Sequence, residues 1–145
     1  MVHSTSVTIS VDRMTAWEVI SDPERWTEWM PDVDSVEYKS GARADYGSEY
    51  AVKAGIFASN NITITEHHSP DCISWKAENS DGAMTQTITL SANGDGTQTA
   101  SFTLSMDSLL SKAVGVFAGS YYDKQLISQA AALRDYFTQR DPSVR

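Results

Sequence analysis

The chain opens on strict alternation. Thr5, Val7, Ile9 and Val11 share one face, while Ser6, Thr8 and Ser10 share the other, which is the period of a strand with one buried side. At Asp12 the period lengthens. Met14, Trp17 and Ile20 recur at helical spacing with Ala16 and Val19 beside them, so a short helix capped by Asp12 is predicted. The run Ser21, Asp22, Pro23 stops it, and Pro23 suits the first position of a second short helix that carries Trp26 and Trp29 on one side. Pro31 ends that helix.

From Val33 to Met106 the pattern predicts strands at 33–40, 46–54, 60–68, 72–79, 83–92 and 97–106. The breaks are "SGARAD", "AGIFAS", "SPD", "NSDG" and "NGDG", all with turn chemistry. Such short connections make antiparallel neighbours. Stretches such as "TQTITLS" and "TQTASFTLS" put threonine and serine on the face that meets water. Asp107 or Ser108 then caps a proline-free pattern from about Leu109 to Gln139, in which Leu126, Ala130, Leu133 and Phe137 form a helical stripe. Thirty residues of helix span ~45 Å, and Gly115 and Gly119 mark a place for a kink. Segregated strands and helices define an α+β class. A seven-stranded sheet with one apolar face needs a cover, and the final helix has the length for it.

With that order of elements in hand, the chain resembles the helix-grip superfamily: START-like lipid-transfer domains, polyketide cyclases and aromatases, and Bet v 1-like proteins (SRPBCC). The match is carried by Trp17, Val19, Ile20, Asp22 and the "W-x-x-W-x-P-x-V" formed by Trp26, Trp29, Pro31 and Val33. It extends to "GDGTQTASFT" from Gly94 to Thr103 and to the closing "LISQAAALRDYF". The resemblance spans the whole chain. It implies one domain over 1–145: a seven-stranded antiparallel curved sheet around a long C-terminal helix, with two short helices between strands one and two. These motifs are packing residues, so they speak for the fold and leave the chemistry open.

The resemblance also implies a hollow between sheet and helix. An empty apolar cavity costs about 24 cal/mol per Å³, so a ligand-sized space from ~300 Å³ upward would cost about 7 kcal/mol. That rivals the stability of a whole domain, roughly 5–15 kcal/mol. Such a space must hold a guest or water, or be filled by side chains. Tyr38, Tyr46, Tyr50, Phe57, Trp75, Phe102, Phe117, Tyr121 and Tyr122 are the fillers or liners. Tyr50, Phe57, His68, Trp75, Phe102, Phe117 and Tyr121 are the cavity candidates. Which strand face lines the space depends on register, since a slip of one residue reverses every side chain. "SLLSKAVGVFAGSYY" is apolar nearly all round. It reads as close packing on the sheet, as a pocket lid, or as a dimer contact. "KAGIFASN" could shut the same mouth through Ile56 and Phe57, or be a plain hairpin tip.

Composition narrows the partners. Nineteen acids against 11 bases give a net charge of −8, which speaks against nucleic acid and anionic membrane surfaces. No apolar run approaches a membrane span, and the start has no signal-peptide pattern. Cys72 is the one cysteine, so a reducing, cytoplasmic setting is expected. His67 and His68 are adjacent on a strand and point to opposite faces, so no metal site is expected, and no cofactor motif is present. Arg13, Arg25 and Lys53 are available to an acidic head group. Three readings follow. The leading one is a binding module, monomer or homodimer, for a small hydrophobic ligand such as a lipid, polyketide or isoprenoid, without chemistry of its own. The second is a polyketide cyclase or dehydratase using Tyr50, Glu66, His68, Trp75 or Tyr121 as acid–base groups. The third is a protein-interaction module of the same fold.

Overall fold

The computed structural model describes residues 2–31, 33–54, 60–79, 82–107 and 109–140, with side chains described at all of these except 2, 54, 78, 79, 82, 107, 109–121 and 140. The order is β1 (Val2–Ile9), α1 (Arg13–Ile20), a 3₁₀ helix (Pro23–Glu28), β2 (Val33–Ser40), β3 (Glu49–Ala54), β4 (Asn60–His68), β5 (Cys72–Asn79), β6 (Gly82–Ala92), β7 (Gln98–Asp107) and α2 (Leu109–Arg140). All neighbours pair antiparallel in one sheet of order β1-β7-β6-β5-β4-β3-β2. This is the helix-grip arrangement that the pattern of elements predicts.

The topology explains the tryptophans. Five of the six strand-to-strand steps are hairpins between neighbours, while β1 and β2 lie at opposite edges. The chain therefore crosses the concave side between them, and α1 and the 3₁₀ helix make the crossing. Asp12 caps α1, accepting from the Thr15 amide at 3.0 Å and the Thr15 hydroxyl at 2.6 Å. Asp22 caps the second helix through the Glu24 amide. Each crossing tryptophan meets the sheet. Trp17 lies edge-on to His67 at 5.2 Å, Trp26 against Trp75 at 4.3 Å, and Trp29 edge-on to Phe102 at 6.3 Å. Trp26 is fully buried and its indole N–H donates to the Ile20 carbonyl at 3.0 Å, which locks the bend between the two helices.

Several expectations shift by small amounts. β1 occupies Val2–Ile9 rather than 5–11, because the chain must turn before Asp12 can cap. Met14 is 50% exposed; a two-turn helix has room inside only for Ala16, Trp17, Val19 and Ile20. Tyr46 is 72% exposed at the β2–β3 turn and neither fills nor lines the interior. In that turn Gly41 has φ +88°, and a Cβ there would lie 2.8 Å from the Ser48 Cα, so the turn requires glycine. The "AGIFAS" turn, with Gly55, Ile56 and Phe57, and the Ser108 cap lie outside the described residues. α2 lays Leu126, Ala130, Leu133, Tyr136 and Phe137 on the sheet, and its end is latched to the 3₁₀ helix by the Tyr136 hydroxyl, which donates to Glu28 at 2.9 Å.

Two measurements check this framework. Trp26→Ala is expected to cost about 3–5 kcal/mol in urea unfolding, and Trp26→Phe, which keeps most of the packing, clearly less. The carboxyls of Asp12 and Asp95 are held below the ordinary carboxylate range by hydrogen bonds from Thr15 and Thr97 respectively. A lowered folded value contributes stability that is present above the unfolded value, ~3.9, and is lost as pH falls through the folded one. NMR titration of Thr15→Val and Thr97→Val should therefore move the paired carboxyl upward; an unmoved titration would contradict the assigned bonds.

Candidate functional site

The inner face of the sheet changes character along its strands. At the end covered by α1 and the 3₁₀ helix, Ile9, Ile73, Ile88, Leu90 and Ala100 are fully buried. At the other end the inward positions are only half-buried. They are Val36 of β2, Val52 of β3, Ala77 of β5, Met84 of β6 and Met106 of β7. Ladder pairings place them in two patches, Val36 opposite Val52, and Ala77 opposite Met84 opposite Met106, with the buried Ile62 and Tyr50 paired in between. One end of the grip is thus buried, and the other presents a strip of half-buried apolar side chains on either side of Ile62 and Tyr50.

Polar groups stand between the two ends. Gln86 of β6 is buried in the inward phase of Ile88 and Leu90, and its amide donates to the Gln129 carbonyl of α2 at 2.6 Å. His3 of β1 lies opposite Leu104 on the same face. Its Nδ1 is 2.7 Å from the Asp123 carboxylate of α2, and its ring is 6.0 Å from that of Tyr122. These two bridges tie α2 to both β1 and β6.

The predicted site residues divide. Tyr50, Trp75 and Phe102 all sit on the inner face and are buried. Trp75 is covered by Trp26 and Phe102 by Trp29, while Tyr50 packs edge-on to Tyr38 and its hydroxyl accepts from the Ala44 amide at 2.6 Å. The side chains of Phe117 and Tyr121 and the whole of Phe57 lie outside the described residues. His68 requires a correction: it is exposed on the outer face, opposite Cys72, and His67 takes the inward position. A β-bulge between Ile64 and Glu66 is the reason. The extra residue reverses the alternation beyond it, so Glu66 also turns outward, beside Ser74 and Cys72. Two of the three cation candidates are engaged, Arg13 with Asp71 and the Leu90 carbonyl and Arg25 with Glu28 and Tyr136, while Lys53 is exposed on β3.

Outside the grip, a solvent-open cleft of about 560 Å³ lies between α1, the 3₁₀ helix, the β2–β3 turn and the end of β4, with Trp17, Arg25, Arg43, Asp45 and His67 in its walls. Its charges pair with one another and with the rim: Arg43 meets Glu24 at 3.2 Å and stacks on Tyr38. Charged walls open to water suit an apolar guest poorly, so the inner strip is the stronger candidate. His3, Gln86, Gln129, Met84 and Met106 are the site residues that sequence reading passes over. Their signal is present as polar residues in the apolar phase of a strand or helix.

Residues 2–138 match the family described as polyketide cyclase / dehydrase and lipid transport. No curated protein matches the chain. Among solved structures, the chain is similar to a protein from Thermobifida fusca at 15% identity and TM-score 0.77, covering 95% of this chain and 93% of that one. It is similar to major latex-like protein 151 from Panax ginseng at 11% identity and TM-score 0.78, covering 94% and 97%. It is also similar to DynU16, a protein in the dynemicin biosynthetic locus, at 15% identity and TM-score 0.74, covering 98% of this chain and 49% of DynU16. At these identities the likeness is one of fold.

The outer position of Cys72 has a chemical signature. Burial and then the Glu66 carboxylate push its thiol above the ordinary value, so little thiolate forms near pH 7. Iodoacetamide should label Cys72 more slowly than a free-cysteine peptide, and Glu66→Gln should speed the labelling. A slower variant would refute the placement of Glu66.

Proposed function

The chain belongs to the polyketide cyclase/dehydrase and lipid-transport family, and from that membership and the half-buried inner strip we propose that it binds a small hydrophobic molecule between the sheet and α2. The strip of Val36, Val52, Ala77, Met84 and Met106 carries the reading. These side chains point into the grip, yet stay half-buried while the other end of the same strands is sealed. Apolar surface left against water costs roughly 25 cal/mol per Å², and a guest seated there removes that cost. Two methionines adapt their shape to varied guests, which favours a tolerant binder of lipid, polyketide or isoprenoid skeletons. Among the described residues no helix is long and apolar enough to cross a membrane.

A second reading, a cyclase or dehydratase acting on the bound guest, is favoured by one feature. The His3 imidazole is buried at the strip and oriented by the Asp123 carboxylate, the arrangement of a general base with its positioning group.

The binding reading is tested with the neutral dye N-phenyl-1-naphthylamine. Its fluorescence should rise on titration with the wild-type protein, and native mass spectrometry of gently purified material should show an added small molecule. Ala77→Trp and Met84→Trp fill the strip and should weaken dye binding about tenfold, the equivalent of burying some 55 Å² less apolar surface. Both should keep the thermal stability of the wild type. A wild-type protein that leaves the dye dark and carries no small molecule would rule the function out.

A further inference from the structure

The cleft outside the grip has one wall laid down by a single stripe of α1. Met14, Trp17, Glu18 and Ser21 border it at i, i+3, i+4 and i+7, the spacing that aligns side chains on one helical face. The facing wall is the β2–β3 turn, with Arg43 and Asp45, and the end of β4, where the bulge turns His67 inward. Its volume of about 560 Å³ falls within the range of ligand sites, ~300–1,000 Å³.

Two of the bordering residues are more than nine-tenths buried and still bring an unmatched polar atom to the cleft. Trp17 is 5% exposed and Ser21 7%. No described residue partners the Trp17 indole N–H or the Ser21 hydroxyl, and neither atom is sealed from water, unlike the indole nitrogen of Trp29. Buried residues ordinarily have their polar atoms matched, so both groups stand ready to bond whatever occupies the cleft. The charged groups of the walls are already committed. Arg25 holds Glu28 at 3.0 Å, Arg43 holds Glu24 at 3.2 Å, and His67 Nδ1 stands 3.9 Å from the Asp45 carboxylate. An anion therefore finds no uncommitted guanidinium. A cation finds the Glu18 carboxylate, but leaves unmatched the Trp17 N–H, which only donates. The walls instead set donors beside acceptors: Trp17 donates, the carboxylates of Glu18 and Asp45 accept, and Ser21 does either. The half-exposed Met14 adds an apolar ledge on the same helical face.

We propose that this cleft is a second binding site, separate from the grip, and that it takes a saccharide. Each sugar hydroxyl donates and accepts at once. Neighbouring hydroxyls donate to the Glu18 and Asp45 carboxylates and accept from Trp17 Nε1 and Ser21 Oγ, and they bring no charge that the committed ion pairs would have to accommodate. The C–H face of the ring lies on Met14. Water competes for each of these bonds in an open cleft, so each gains little net, and the dissociation constant is on the order of 1 mM.

The test is titration of isotope-labelled protein with the methyl β-glycosides of glucose, galactose and N-acetylglucosamine and the methyl α-glycoside of mannose, followed by proton–nitrogen correlation spectra. At least one glycoside should move the Trp17 indole signal saturably at millimolar concentration, while the Trp26 indole, bonded to the Ile20 carbonyl, stays in place. Glu18→Ala, at an exposed helix position, and Ser21→Ala should each weaken that glycoside about fivefold or more, the worth of one hydrogen bond. Trp17→Phe should do the same, read from the Asp45 and His67 amides, and the spectra themselves report that each variant is folded. n-Butylamine and acetate at the same concentrations should leave Trp17 unmoved. A Trp17 signal that no glycoside moves overturns the proposal, and so does one moved only by the amine or the acetate, because the cleft then reads charge. A glycoside that displaces bound N-phenyl-1-naphthylamine places the sugar in the grip and overturns the second site while the binding function stands. A protein that leaves the dye dark and yet responds to a glycoside at Trp17 keeps the cleft and loses the grip.

Discussion

A sheet whose first and second strands lie at opposite edges forces the chain across its own concave face. That single constraint organises the molecule. The crossing costs a loop closed over the open side, and the chain fills it with two short helices whose three tryptophans reach β4, β5 and β7. The crossing seals one end of the grip. The other end is left to α2, which is latched at its far end by Tyr136 and Glu28 and held lower down by Asp123 and Gln129. The difference between the two ends comes from connectivity, and the apolar strip is its product.

The interior is therefore not a uniform oil drop. Polar side chains bridge sheet and helix where the packed end gives way to the strip. A buried amide pair or imidazole–carboxylate pair contributes little net stability, but leaving either half unmatched is costly. Such bridges fix the height and rotation of α2 over the sheet more sharply than apolar contacts do. The outer face shows the contrasting logic. Threonine and serine pair across strands there, as in Ser74 with Thr87 at 2.7 Å, and the surface carries no comparable apolar band among the described residues.

Much of this was legible from residue order alone. Turn-forming clusters placed the β2 to β7 boundaries within a few residues, and Asp12 announced the cap of α1. The W-x-x-W stretch is readable as packing because both indoles are larger than any solvent-facing role needs. What escaped reading had physical causes. A bulge has no reliable residue signature, so the inward histidine is His67 rather than its neighbour, a matter of one added residue in β4. The exposure of Met14 depends on how short its helix is. His3 looked remote because its partner lies 120 residues away, a separation that no periodicity encodes.

The pairing of β1 with β7, Val2 opposite Ser105 through Ile9 opposite Gln98, also governs the order in which the molecule can be made. A ribosome releases β1 long before β7, its one neighbour in the sheet, so β1 waits without a strand partner until β7 has emerged. At translation speeds of about 5–20 residues per second the wait lasts roughly 5–20 seconds. Non-local closure of this sort is slow even in the finished chain. The serine- and threonine-rich first strand, with few apolar side chains to attract a wrong neighbour, is well suited to that delay.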